Sequence, residues 1–232
     1  MSEAQSNAQD RGRELERAGD LEGAFQLYTS AGLLDDAVRM LVERGRSTDA
    51  ADVILAMITT RPRPLADADR AWALRCALLF EQGGAVLRAV DVLAWIGATA
   101  EGEAIAHRLL EAGQTFAAGS CLVRLGDPSQ GIELLLSAVP RSDSRYGAAC
   151  VEIARGLSRG AAINMEVDRW LADFIRRGHD DEEEAEALYA IAAAFAREGM
   201  PENAAECLRR LEVRRPGFRD AAAQAARLEA GA

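Results

Sequence analysis

The 232-residue chain contains no lysine; its 27 basic residues are all arginine. A Walker-type phosphate loop and a Schiff-base lysine are therefore excluded. Histidine is nearly absent too: His107 and His179 are too few to assign a Ser-His-Asp triad. Basic charge is in deficit, since 37 acidic residues leave a net charge of −10. Arg209, Arg210, Arg214, Arg215 and Arg219 cluster, but no stretch is a basic domain. A general nucleic-acid binder needs a basic face to displace counterions, so no nucleic-acid partner is expected. Aromatic residues make up only 5%. The abundant small side chains, alanine above all, favour closely packed helices over sheets. The four cysteines, Cys76, Cys121, Cys150 and Cys207, have no CxxC spacing and lie among Ala, Leu and Val. They are expected as small buried groups in a reducing compartment, not as redox or zinc ligands. No apolar run approaches the ~18 residues of a membrane span. The polar start, MSEAQSNAQDRGRELE, lacks an apolar signal region, and Met1 reads as a natural start. A soluble cytoplasmic chain without membrane insertion is the expectation. With 49% hydrophobic and 28% charged residues, the composition suits a packed core rather than disorder.

What is present is a rhythm. Gly19, Gly32 and Gly45 are 13 residues apart, as are Gly84 and Gly97, and Gly113 and Gly126. Between them lie helical patterns, such as Leu21, Ala24, Phe25, Leu27 and Tyr28, then Leu34, Ala37, Val38 and Leu41. Each glycine is expected to close a helix in a left-handed conformation, with a polar residue opening the next. Asp20 is a cap, Ser47 or Thr48 another, and Asp127 a third, with Pro128 in the first turn. Small residues, Ala18, Ala31, Ala112, Gly119 and Ala192, let helix axes approach. The pattern predicts about fourteen helices of about 10–17 residues. Helices this short are marginal alone and must be stabilised by their neighbours, as in a solenoid. The expected fold is all-α: a right-handed α-α superhelix of about seven antiparallel pairs, residues 1–232 forming one domain. The Pro62/Pro64 stretch (60–65) and Pro140 with 141–144 interrupt the rhythm. They are expected as loops within one continuous stack, with bends or subdomain joints as alternatives.

The segment Ala185–Phe218 resembles a tetratricopeptide repeat, a 34-residue helix pair. Leu188 and Ile191 match its first-helix apolar positions, Ala192 its small residue and Phe195 its aromatic. Gly199 matches the turn, Ala204 the second small residue, Leu208 and Leu211 the following apolar positions, and Pro216 the closing proline. Leu188 stands where the family commonly has Trp, and Phe195 where it has Tyr. Residues 217–230 look like the family's capping helix. A weaker match begins near Ala112, with Ala118, Gly119, Leu122, Gly126, Gly131 and Leu135 in place. The shorter N-terminal units are similar to the short helical repeats of coat and intraflagellar-transport solenoids. The resemblance implies a scaffold that binds other proteins. It also implies that first helices line a concave groove, which Tyr189, Ala193 and Ala196 would face from one repeat and Phe116, Ser120 and Val123 from another.

Glu103, His107 and Glu111 share one helix face by their four-residue spacing, the geometry of a carboxylate–imidazole–carboxylate cluster. A solvated face of ordinary pairs explains them more simply, and no metal or cofactor is expected. His179 with the acidic run 180–184 reads as a helix start complementing the macrodipole, with Asp180 as cap, rather than as a cation site. Gly83–Gly84 and Gly156–Gly160 follow no strand and form no phosphate loop. Trp72, Trp95 and Trp170 lie on apolar stripes and are expected in the core. No catalytic residue emerges. The candidate partner-binding residues are Phe116, Ser120, Arg124, Arg155, Tyr189 and Arg197. Tyr189 is the expected anchor; Arg75, Arg124, Arg155 and Arg197 are possible forks for a partner's carboxylates. The leading expectation is a non-enzymatic scaffold or adaptor for a protein or peptide, with a basic partner surface favoured by the charge. A self-assembling homo-oligomeric or coat-like subunit is the alternative. A metal-dependent enzyme built on Glu103, His107 and Glu111 is a distant third.

Overall fold

A computed structural model describes residues 3–176 and 181–231. Among these residues there are fourteen helices and no strand. The helices group into two compact units, Met1–Gly97 and Ala98–Ala232. The first holds α1 (Glu3–Ala18), α2 (Leu21–Ser30), α3 (Leu34–Glu43), α4 (Ser47–Thr59), α5 (Asp67–Gln82) and α6 (Val86–Ile96). The second holds α7 (Thr99–Glu111), α8 (Thr115–Arg124), α9 (Pro128–Ala138), α10 (Tyr146–Ser158), α11 (Met165–Arg176), α12 (Glu182–Arg197), α13 (Pro201–Arg214) and α14 (Ala221–Gly231). In the first unit each helix packs on the next along the chain. In the second, alternate helices also touch, α8 and α12 both lying against α10. This is the all-α solenoid arrangement in both units.

The glycine rhythm is the punctuation of the fold. Gly19, Gly32, Gly45, Gly84, Gly97 and Gly113 all have positive φ. After Gly19 the Asp20 amide bonds back to Leu15 O at 2.9 Å, and after Gly32 the Leu33 amide to Tyr28 O at 2.8 Å. These bonds satisfy carbonyls that a helix end leaves open. Gly126 differs, having no positive φ; a Cβ there would stand 2.7 Å from Leu122 Cδ2. Its role is close approach rather than turn geometry. Closer still is the crossing of α8 on α9: a Cβ on Gly131 would lie 2.6 Å from Val123 N and 2.7 Å from Gly119 O. Gly119 is thus a contact residue, as its small size indicated.

Asp20 caps α2 through Gly23 N at 2.9 Å, and Asp127 caps α9 through Ser129 N at 2.8 Å, with Pro128 in the first turn. The Ser47/Thr48 cap is not formed. Arg46 is the N-cap of α4 without a side-chain bond, and Thr48 Oγ1 points instead to Gly83 O at 3.5 Å. The cap of α12 is Asp181, bonded to Glu183 N at 2.6 Å. Asp180 and His179 lie outside the described residues. The Pro62/Pro64 loop lies inside the first unit and the Pro140 loop inside the second. Helix α10 starts at Tyr146, just after a turn in which the Asp143 carboxylate takes the Arg145 amide at 2.8 Å. The final helix starts at Ala221 because Gly217 and Arg219 both have positive φ.

The core of the second unit runs through Val123, Leu135, Tyr146, Ile153, Leu171 and Phe195. Leu188, Ile191, Phe195, Ala204, Leu208 and Leu211, the positions of the repeat-like register, are all buried there. Tyr146 ties α11 to α10: its hydroxyl donates to Trp170 O at 2.6 Å and accepts from Phe174 N at 3.1 Å. Trp170 is buried, whereas Trp72 and Trp95 are half-buried, each with an arginine guanidinium over its ring. None of the four cysteines is in a disulfide, and all are buried. Burial pushes the Cys76 and Cys207 thiols up to about 12, so they remain protonated and inert near neutral pH.

Candidate functional site

Helix α10 is apolar on nearly every side, because α8, α9 and α12 all pack against it. Its remaining face and the adjoining face of α12 form a groove of about 620 Å³. Val151, Ala154, Ala187 and Ala190 give it an apolar floor. At the rim stand four carboxylates, Asp181, Glu182, Glu183 and Glu186, and one cation, Arg155. The N-cap and first turn of α12 supply three of these carboxylates, where the helix macrodipole favours them.

A ladder of ion pairs crosses α8, α10 and α12. Arg124 holds Glu152 with two bonds, Nη2 at 2.5 Å and Nε at 3.0 Å. Arg155 Nε lies 3.7 Å from the same carboxylate, and its Nη2 lies 2.6 Å from Glu183 Oε1. Glu152 is only 5% exposed, so this bidentate pairing is what permits its charge to be buried. On the other flank, Arg219 pairs with Glu186 at 2.5 Å and lies 5.0 Å from the Tyr189 ring.

The six candidate residues take different places. Arg155 lines the groove, and Arg124 reaches it through Glu152. Tyr189 borders it through Arg219 and is half-buried. The Tyr189 hydroxyl donates to Asp220 Oδ1 and accepts from Gln224 Nε2, both at 2.6 Å. The bond to Asp220 raises the tyrosine pKa and lowers that of the carboxyl. Phe116 is half-buried on α8, with Arg145 5.6 Å from its ring centroid, and does not line the groove. Ser120 is fully buried, as is Val123. Arg197 donates to Leu157 O at 3.0 Å and Ala161 O at 2.9 Å. It stitches the end of α12 to the end of α10, as Arg159 does to α8 through Val123 O at 2.5 Å. Arg75 is paired with Asp35 in the first unit. Ala193 and Ala196 are exposed.

Glu103, His107 and Glu111 are all exposed on α7. Among the described residues no three His, Cys, Asp or Glu side chains converge as a metal set. Sequence reasoning missed Glu152, Glu183, Glu186 and the groove floor. The one available signal was the acidic run 180–184, which reads as a helix start complementing the macrodipole. What the groove offers is apolar area beneath a negative rim, an arrangement for recognising a partly apolar, cationic surface. No described helix is long and apolar enough to cross a membrane. A scan against protein-family models gave no match, and searches of curated proteins and of solved structures gave none either.

Proposed function

We propose that the chain is a non-enzymatic scaffold, a right-handed tetratricopeptide-like solenoid that binds a protein or peptide partner along its α8–α10–α12 face. The partner is basic where it meets the rim. The observation that carries this reading is the groove itself, about 620 Å³ with an alanine and valine floor and four carboxylates at its edge. The repeat-like register supports the family resemblance, since its apolar positions are all core positions between α12 and α13. Cysteines outside any disulfide suit the reducing cytoplasm.

The test is affinity purification with the full chain and with its E183R/E186R variant, followed by mass spectrometry. The Glu183 and Glu186 side chains are 59% and 40% exposed, so both substitutions are compatible with the fold. A partner held by the wild type is expected to lose about tenfold or more in affinity to the variant. Its binding to the wild type should weaken with salt. Equal binding by both chains would remove the groove from the reading.

A further inference from the structure

The first unit carries a larger groove of its own, of about 650 Å³, running across α1 to α5. Leu33, Val53, Met57 and Trp72 form its apolar walls. Asp35, Asp36 and Asp69 face it, and Arg61 is its one cation. Its volume lies within the ~300–1,000 Å³ of sites that enclose small ligands or side-chain clusters. Three carboxylates against one cation among its lining residues leave an excess of negative charge, which a neutral apolar segment would desolvate without adding a counter-charge. The occupant must therefore bring positive charge as well as apolar surface.

One corner already displays the chemistry. The Arg75 guanidinium lies 4.9 Å from the Trp72 ring centroid and donates to Asp35 Oδ1 at 3.0 Å. An aromatic face beside a carboxylate thus accepts a guanidinium here, using stacking and a directed bond together. This internal pair is exposed, at 40% for Arg75 and 80% for the Asp35 side chain. Exposed pairs contribute only about 0–1 kcal/mol, so an incoming cation displaces it at little cost. Arg61 is held as loosely, half-exposed and 3.6 Å from Asp69. Asp36 is firmer, bonded by Gln9 Nε2 at 2.9 Å and lying 3.6 Å from Arg39.

We infer that this groove is a second docking site, for an extended segment of a partner protein in which arginine side chains alternate with apolar ones. The arginine stacks on Trp72 and forks onto Asp35, taking over the place of Arg75, while the apolar residues fill the Leu33–Val53–Met57 wall. Arginine is preferred to lysine because only a planar guanidinium can both stack and fork. The site is independent of the α8–α10–α12 face and stands or falls separately from it.

The probe is a fluorescein-labelled peptide, Ser-Leu-Arg-Leu-Arg-Leu-Ser, titrated by anisotropy into the full chain carrying E183R/E186R, which silences the other face. Binding is expected to persist in this chain. Replacing both peptide arginines by glutamine should abolish it, and replacing them by lysine should weaken it several-fold. Adding D35R, at a largely exposed position, should weaken binding by about tenfold or more while the helical circular dichroism stays unchanged. D35N, which removes charge without reversing it, should give a smaller loss in the same direction. Loss of all binding in E183R/E186R alone would overturn this inference and leave the scaffold reading intact. Equal binding of the arginine and glutamine peptides, or no effect of D35R, would also overturn it.

Discussion

Glu152 shows what a single residue does in this stack. It is buried, yet charged, because Arg124 meets it with a bidentate pair and Arg155 lies at its other side. Removing one member of a buried pair is costly, since the other keeps its desolvation penalty. E152Q is therefore expected to destabilise the second unit by about 3 kcal/mol or more, read as a shift in the denaturant midpoint. Replacing the Arg124–Glu152 pair together by methionine and leucine should recover most of that loss, because apolar side chains need no counter-charge there. If E152Q unfolds like the wild type, the ladder adds nothing to stability. Arg197 and Arg159 act similarly on backbone carbonyls, which take up part of their donor capacity.

At the scale of elements, α1 is the exception. Gly12 is its only buried residue, set against the Tyr28 ring, where an added Cβ would lie 2.2 Å from Cε1. Half-buried Leu15 packs against the cluster of Ala24, Tyr28, Ala37 and Met40, and the rest of the helix's attachment is polar. Tyr28 donates to Glu16 Oε1 at 2.6 Å, Arg39 donates to it at 2.7 Å, and Gln9 donates to Asp36. The Arg39 hydrogen bond holds the Glu16 carboxyl below its ordinary value of 4.5. The stability this supplies is complete above that value and is lost as pH falls through the lowered pKa. Hydrogen exchange of α1 amides should accelerate relative to α4 and α5 as pH drops from 6 toward 3, after correction for intrinsic rates. E16Q should show the fast exchange already at pH 7 and lose the pH dependence. Unchanged protection in E16Q would mean that Gly12 and Leu15 hold α1 by packing alone.

For the molecule as a whole, the net charge of −10 acts between copies as well as toward partners. Like-charged surfaces repel, which favours separate chains over self-assembly. Sedimentation at low salt is expected to give a monomer whose mass does not change with concentration. A concentration-dependent oligomer would favour the coat-like alternative instead.

The positions of the helices were legible because their determinants are local. A glycine that closes one helix, an Asp that caps the next and an apolar residue every three or four positions act within a few residues of chain. That is why Gly19, Asp20, Asp127 and the buried Val38 and Leu41 are found as their pattern indicated. Of the candidate site, the sequence offers Arg124 and Arg155 only as forks for a partner's carboxylates. What they bind within the chain was not legible. Arg124 meets Glu152 28 residues away, Arg197 meets carbonyls 36 and 40 residues away, and Arg75 meets Asp35 40 residues away. Such pairings depend on which helices become neighbours and how far each is rotated, and an alanine-rich periodicity leaves that rotation open. Local chain chemistry thus determined where the helices begin and end. Packing between helices decided which charges are consumed internally and which surround an open groove.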